Sequence, residues 1–447
     1  MIELRLSEAA KFIGGNFEGT DKIFRGVNTD TREIKKDELF IALKGLNFNG
    51  NDFINEAFTK GAAGCIANYE KEKDKQSIFV DDTRVALGKL AYCWREEMPS
   101  KVIAITGSNG KTSLKELLAS CISIKANTLS TEGNLNNDIG LPLMLLKLNS
   151  SHEFAVLEMG ANHPKEIEYM VGLANPHVVV INNAATSHIE GFIDLNGVAK
   201  AKGEILQGKV APKYAILNYD DAYFDLWNEM AANSKVISFG LSSKAMIYAK
   251  NIQIQKEFSC FHLMLPDDSI DIRLQLHGNH NVMNACAAGA VMYSLGRSSR
   301  EIKEGLERVS SVTGRLQLMD TRSGHTIIND SYNANPTSTV AAIEYLKSMR
   351  DKKIFVFGDM KELGDNSSEM HAFIGEKAKN MGIDYLYAVG EMTKYTVKQF
   401  GDNGFWFASI DKLIANLRPM LREKKNMNIL VKGSRSMRME RVVSQIV

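Results

Sequence analysis

Short runs that are apolar at every position recur along this chain, and each is followed by a stretch with helical spacing. They read VIAITG (102–107), FAVLEMG (154–160), HVVVINNA (177–184), YAILNYD (214–220), KIFVFGDM (353–360), YLYAVG (385–390) and NILVKGS (428–434). A strand with one wet face alternates apolar and polar residues, whereas a run without alternation needs cover on both faces. Helices on both sides of a parallel sheet supply that cover, which restricts the chain to the α/β class. The text alternates more between about 240 and 277 (IYAKNIQIQKEFSCFHLML). Antiparallel strands appended to the central unit are expected there.

The 447 residues, 44% of them hydrophobic, suffice for two or three domains with their own cores. A linker fits at EEMPSK (96–101) and a second junction near VSSVTGR (309–315), giving units near 1–98, 99–313 and 314–447. A net charge of +1 gives no reason to expect nucleic acid. No apolar run approaches the roughly 20 residues that span a bilayer, so membrane insertion is not expected. The start lacks the pattern of a secretory signal, and the five cysteines are scattered. A reducing, cytoplasmic setting is expected.

The stretch VIAITGSNGKTSLKELL (102–118) has the order strand, glycine loop, lysine, hydroxyl, helix. Amides at the start of a helix point outward, and the helix dipole adds positive potential there. Gly107 and Gly110 let the backbone curl around phosphate oxygens, with Ser108, Asn109 and Ser113 beside them. Lys111 would reach the β- and γ-phosphates, and Thr112 would ligate Mg²⁺. The usual signature has another glycine where Ile105 stands. A plain strand-to-helix turn with a solvated lysine is the competing reading.

Magnesium at such a loop needs an acidic partner. Glu158 ends an apolar run, at the carboxyl edge where parallel sheets bind ligands. His188 lies past the end of the next run, so the two are expected to face one cavity. Alone, Glu158 also fits a helix cap and His188 an ordinary loop histidine. Lys202 follows in VAKAKGEIL. Its charge is out of place near magnesium unless CO₂ converts the amine to a carbamate, an anionic oxygen ligand. An exposed helix lysine is the simpler alternative.

The strings TGSNGKTS, EGNLNNDIGLPL (132–143), EMG, SHIEGF, AKAKGE, HNVMNACAA (280–288), GR (314–315), NDSYNANP (329–336), GDMKELG (358–364) and KGSRSMRME (432–440) resemble, in order and over nearly the whole chain, those of the Mur ligase family. That family's phosphate loop also lacks the early glycine. The resemblance implies three domains: an N-terminal UDP-substrate α/β domain, a central phosphate-loop ATPase with a mostly parallel sheet, and a C-terminal Rossmann-like domain for the incoming amine. It implies an enzyme that joins an amine to a carboxylate with ATP and two Mg²⁺ ions. By position, Lys111 and Thr112 would hold the γ-phosphate and magnesium, and Glu158 and His188 a second magnesium. Lys202 matches a lysine that becomes carbamoylated. Asn281 matches an adenine contact, Arg315 an arginine near the phosphates and Asp330 a ribose contact. Asn279 departs from the arginine often found before His280.

The strings NDSYNANP and GDMKELG, with His371 following, resemble the branch that adds D-alanyl-D-alanine to UDP-N-acetylmuramoyl-tripeptide in peptidoglycan precursor synthesis. Asn333 and Asn335 become candidate substrate contacts. The branch that adds a single third amino acid to UDP-muramoyl-dipeptide usually carries Asp-Asn-Pro-Arg, whereas Thr337 follows Asn335-Pro336 here. The segment 27–62 resembles the family's uridine-binding domain, with Thr31 and Arg32 in the expected turn. There Asp37 stands where glycine is common, and Asn49-Gly50-Asn51-Asp52 replaces a usual Asp-Gly-His. Arg32 also reads as half of a structural ion pair. Lys432 and Arg435 suit a carboxylate, that of the dipeptide, or else the solvated end of a helix.

The implied chemistry is activation of a carboxylate as an acyl phosphate, with Lys111, Arg315 and magnesium offsetting the repulsion between two anions. Adenine and ribose contacts come from different domains, so closure on ATP is expected. A monomer is expected. Two alternatives stay open: the branch that adds one amino acid, and a nucleotide-dependent binding module, which leaves SHIEGF and AKAKGE without a role.

Overall fold

The computed structural model describes residues 1–45, 48–68, 76–185, 189–192, 194–255, 258–310 and 312–447. Three sheets from successive parts of the chain organise it, and the fold is α/β with three domains. The first sheet orders Asn16–Glu18, Ser77–Phe79, Gly64–Ala67, Leu39–Ile41 and Val27–Asn28. It is parallel except for its first pairing. Glu3–Arg5 and Ile23–Arg25 form a separate antiparallel pair. Asp37 adopts φ 65°, the left-handed region that favours glycine.

The central sheet has nine strands, in the order 269–274, 259–264, 247–254, 235–240, 214–218, 178–181, 101–106, 154–158 and 128–130. The appended strands beyond 247–254 are antiparallel, as expected. Alternation within the strand Lys101–Thr106 sends Val102 and Ala104 into one core, and Ile103 and Ile105 into the core on the opposite face. Later strands add on both sides of this strand, 154–158 on one and 178–181 on the other, which makes its carboxyl end a topological switch point.

The expected linker at 96–101 is a short connection between elements that share a core. Helix Thr83–Glu96 buries Leu87, Leu90 and Trp94 in the same cluster as Leu145 and Met170 of the central unit. Trp94 Nε1 donates to the Leu148 carbonyl at 3.0 Å, and Arg95 Nε to that of Ala174 at 3.0 Å. The last sheet orders 317–320, 326–330, 427–432, 352–358, 385–389 and 404–407, and only its first pairing is antiparallel. The carboxyl ends of its strands and of the central strands meet at one cleft, lined from both sides.

Candidate active site

Ile105 belongs to the strand and is fully buried, so the loop begins at Gly107. Gly110 precedes helix Lys111–Ile122 at φ 79°. A Cβ there would lie 2.6 Å from Asn182 Nδ2 and 2.8 Å from Asn284 Oδ1, so the position admits only glycine. The loop is fixed from below by the end of the strand Val178–Ile181. Asn183 accepts from Ser108 N at its carbonyl (3.0 Å) and from Asn109 N at Oδ1 (2.8 Å). Asn182 and Asn183 amides donate to the Asn109 carbonyl at 3.0 and 3.1 Å. Ser108 Oγ accepts from Ala185 N at 2.9 Å. Sequence reasoning singled out Asn109 but neither Asn182 nor Asn183. The signal was the Asn-Asn pair closing an apolar run beside a glycine loop.

A cavity of about 540 Å³ opens beside the loop, lined by Lys111, Thr112, Glu158, Lys202 and Arg315 among others. Lys111 Nζ folds back to the Gly107 carbonyl. Burial lowers its ammonium to about 8, with Glu158 opposing and Arg315 reinforcing the shift. Thr112 Oγ1 donates to Glu158 Oε2 at 3.3 Å and accepts from Arg315 Nη2 at 3.2 Å. Asn136 Nδ2 also donates to Glu158 Oε2, at 3.3 Å. Glu158 Oε1 and Arg315 Nε are buried without a hydrogen-bond partner. The Arg315 guanidinium lies 4.1 Å from the centre of the Tyr332 ring.

Lys202 is 1% exposed, which overturns the reading of an exposed helix lysine. Among the described residues no hydrogen bond or ion pair holds its ammonium, which sits 5.7 Å from the Phe192 ring centre. Burial first, then Lys111, lower it to about 7 against the pull of Glu204 and Glu166. His188 lies outside the described residues. Among the described residues no three His, Cys, Asp or Glu side chains converge as a metal cage.

A second cavity of about 410 Å³ lies on the other side of the loop. Ser113, Asn281, Asp330 and Lys432 line it, and Asn109, Gly110 and Arg315 border both cavities. Asn281 Nδ2 donates to the His277 carbonyl at 2.9 Å. Asp330 accepts from Leu316 N at 3.1 Å and from Lys432 Nζ, which also donates to the Asn333 carbonyl at 3.0 Å. Burial lowers the Lys432 ammonium while Asp330 opposes.

The structure parts the two cations expected to share one carboxylate. Lys432 is buried against Asp330, whereas Arg435 lines the first cavity and pairs with Glu440 at 3.1 Å. Arg32 is exposed and paired with Asp30 at 2.5 Å, and neither it nor Thr31 lines either cavity. Asn333 lines the first cavity. Asn335 lines it too, but its amide is engaged by Asn109 Oδ1 at 2.7 Å. His371 is fully buried in the C-terminal unit. Its Nε2 accepts from Met360 N at 2.9 Å, and its Nδ1 faces the Ser367 carbonyl at 2.7 Å. That pairing fixes the neutral ring, and burial lowers its pKa.

A switch-point loop ending in Lys-Thr, with a carboxylate against its hydroxyl and a second sheet edge facing it, defines a phosphate-loop nucleotide enzyme. The Mur ligase family catalytic domain is matched by residues 23–92, the Mur ligase middle domain by 105–292, and the Mur ligase, glutamate ligase domain by 314–435. The UDP-N-acetylmuramoyl-tripeptide–D-alanyl-D-alanine ligase of Escherichia coli K12 is 40% identical over 99% of this chain and 98% of that protein. The crystal structure of MurF from Acinetobacter baumannii superposes with a TM-score of 0.93 at 33% identity, covering 100% of this chain and 99% of that one. MurF from Thermotoga maritima in complex with ADP superposes with a TM-score of 0.83 at 28% identity, covering 94% and 97%. The chain belongs to the Mur ligase family, and is an ATP-dependent ligase.

Proposed function

We propose that this chain joins the amine of D-alanyl-D-alanine to the carboxylate of UDP-N-acetylmuramoyl-tripeptide, using ATP, in the synthesis of peptidoglycan precursors. Relatives bearing that activity in their names align with nearly all of the chain. The observation that carries the reading is the cation-rich cavity beside the loop. Lys111, Lys202, Lys361, Arg315 and Arg435 line it against Glu158, Glu166 and Glu362, and Glu158 Oε1 is buried without a partner. No helix among the described residues is long and apolar enough to cross a membrane, and we assign the enzyme to the cytoplasm as a monomer. The units near 1–98, 99–313 and 314–447 take the UDP-substrate, ATPase and amine-binding roles.

An orphaned, buried carboxylate oxygen next to a threonine hydroxyl fits a divalent cation, since Mg²⁺ is commonly held by one or two carboxylates together with substrate phosphates. Thr112 would hold one beside the γ-phosphate, and Glu158, His188 and a carbamoylated Lys202 would hold a second. Bound there, the ions would neutralise phosphate charge. Lys202 suits carbamoylation because burial lowers its ammonium to about 7, so a large share of the amine is uncharged near neutral pH: nitrogen bonds to the carbon of CO₂ and a proton is released to solvent.

Gly107, Ser108, Asn109, Gly110 and Ser113 would wrap the nucleotide phosphates, with adenine by Asn281 and ribose by Asp330. Lys111 and Arg315 lower the repulsion as the tripeptide carboxylate attacks the γ-phosphorus, and ADP departs. The carboxylate oxygen now carries a phosphoryl group, a far better leaving group than oxide. The uncharged amine of the dipeptide then attacks the acyl carbon. The C–N bond forms, the C–O bond breaks, and inorganic phosphate leaves, taking up the proton that the amine nitrogen loses. Asn333 and Arg435, which line the cavity from the C-terminal unit, would orient the dipeptide, and Thr31 and Arg32 would meet the uridine end of the other substrate.

Mass spectrometry of a reaction containing ATP, UDP-N-acetylmuramoyl-tripeptide and D-alanyl-D-alanine tests this. The expected result is the joined product, with phosphate released only when both co-substrates are present. Phosphate release that ignores the carboxylate would favour a nucleotide-dependent binding module. A product formed with a single amino acid on UDP-muramoyl-dipeptide would favour the other branch.

A further inference from the structure

We infer that Asn335 is a positioning residue: its side-chain amide fastens the C-terminal unit to the phosphate loop through Asn109. Asn335 is the N-cap of helix Pro336–Ser348, and its Oδ1 accepts from Ser338 N at 2.8 Å. That bond fixes which end of the amide faces the helix, because only oxygen can accept from an N–H. Nδ2 must therefore point away, and it donates to Asn109 Oδ1 at 2.7 Å. The residues are 226 positions apart, and Asn335 is buried.

The other end of the contact is equally constrained. Asn109 N donates to Asn183, and its carbonyl accepts from Asn182 and Asn183. The side chain of Asn109 thus projects from a backbone gripped on both sides. Asn182 also donates to Asn284 Oδ1 at 2.9 Å, and Asn284 to Asn281 at 3.5 Å. A continuous asparagine network therefore runs from the cavity holding Asn281 to the helix of the C-terminal unit. It crosses the phosphate loop at Asn109, which borders both cavities.

Asn335 thereby sets where Tyr332, Asn333 and Ala334, which line the reaction cavity, stand relative to Lys111. Among the described residues, the contacts that also bridge these units include Arg315 to Thr112 and the His277–Tyr345 stack at 4.1 Å. Neither touches the tip of the loop. The role assigned to Asn335 differs from a direct substrate contact, and its kinetic consequence rests on the ligase reading above.

The test is Asn335→Ser. Serine caps a helix about as well as asparagine, but its hydroxyl is too short to reach Asn109 as well. With ADP and Mg²⁺ present, small-angle scattering should report a larger radius of gyration than the parent. The specificity constant for D-alanyl-D-alanine should fall about tenfold, as expected for one lost hydrogen bond, while KM for ATP stays within about twofold and the thermal midpoint is unchanged. In an Asn109→Ala background the same substitution should cost nothing further. Parental dimensions together with a parental specificity constant would overturn the inference, as would an undiminished loss in the Asn109→Ala background. Should Asn335→Ser not fold, scattering of Asn109→Ala alone carries the test, and parental dimensions there overturn it. A parent enzyme that makes no product would sink the ligase reading, whereas the scattering arm judges the fastening independently.

Discussion

Lys202 is held where an ammonium is poorly tolerated, and that has a measurable cost. Its folded value is about 7 against an ordinary 10.5. Between those values the unfolded chain binds a proton that the folded chain does not, so stability rises with pH across the window. Below about 7 the penalty is fully present, on the order of several kcal/mol. In CO₂-free buffer, Lys202→Met should raise the thermal midpoint at neutral pH, flatten the profile between about pH 7 and 10, and abolish ligation. Calorimetry across that range checks it, and a profile like the parent's would contradict it. Lysine burial was not legible in the sequence, because AKAKGE spaces Lys200 and Lys202 alike while the fold exposes one and buries the other. Lys111, Thr112 and Glu158 were legible, since a glycine loop and a strand-end carboxylate are local patterns. Arg315 reaches the loop only through the meeting of two units, and no local pattern encodes that contact. Its assignment came from the family resemblance.

At the scale of elements, the long apolar runs of the central and C-terminal sheets were readable because each is buried on both faces. The strands of the first unit were not. Val27–Asn28 and Leu39–Ile41 span two and three residues, too few for any periodicity to register. The turn between them carries the left-handed Asp37, which explains why glycine is common at that position. Asp37 is exposed, so Asp37→Gly should relieve backbone strain and lose little else. The expected gain is about 0.5 kcal/mol, after the added entropy of the unfolded chain is subtracted. Urea titration measures it, and a loss of stability would contradict the account. The phosphate loop is the opposite case: Gly110 faces Asn182 and Asn284 with no room for a side chain, so its local chemistry and its packing demand the same residue.

For the whole molecule, the first junction lies between units that share a core. EEMPSK looks like a linker because it is charged and carries proline, yet the helix before it is docked on the central unit through Trp94. Trp94→Ala should therefore cost about 3–5 kcal/mol and weaken both units together. Hydrogen exchange would accelerate in Phe154–Glu158 as well as in the five-stranded sheet, and a change confined to the first sheet would contradict a shared core. The C-terminal unit has separate cores and meets the rest through contacts that include the Asn335–Asn109 and Arg315–Thr112 hydrogen bonds and the His277–Tyr345 stack. The chemistry proposed for the cleft between the units is the activation of an acid by phosphoryl transfer. The most direct measurement supplies the tripeptide with isotopically heavy oxygen in its reacting carboxylate and follows the label during ligation. The account predicts one heavy oxygen in each inorganic phosphate released, because the carboxylate oxygen that bonds to phosphorus leaves with it. Unlabelled phosphate accompanying amide formation would contradict it.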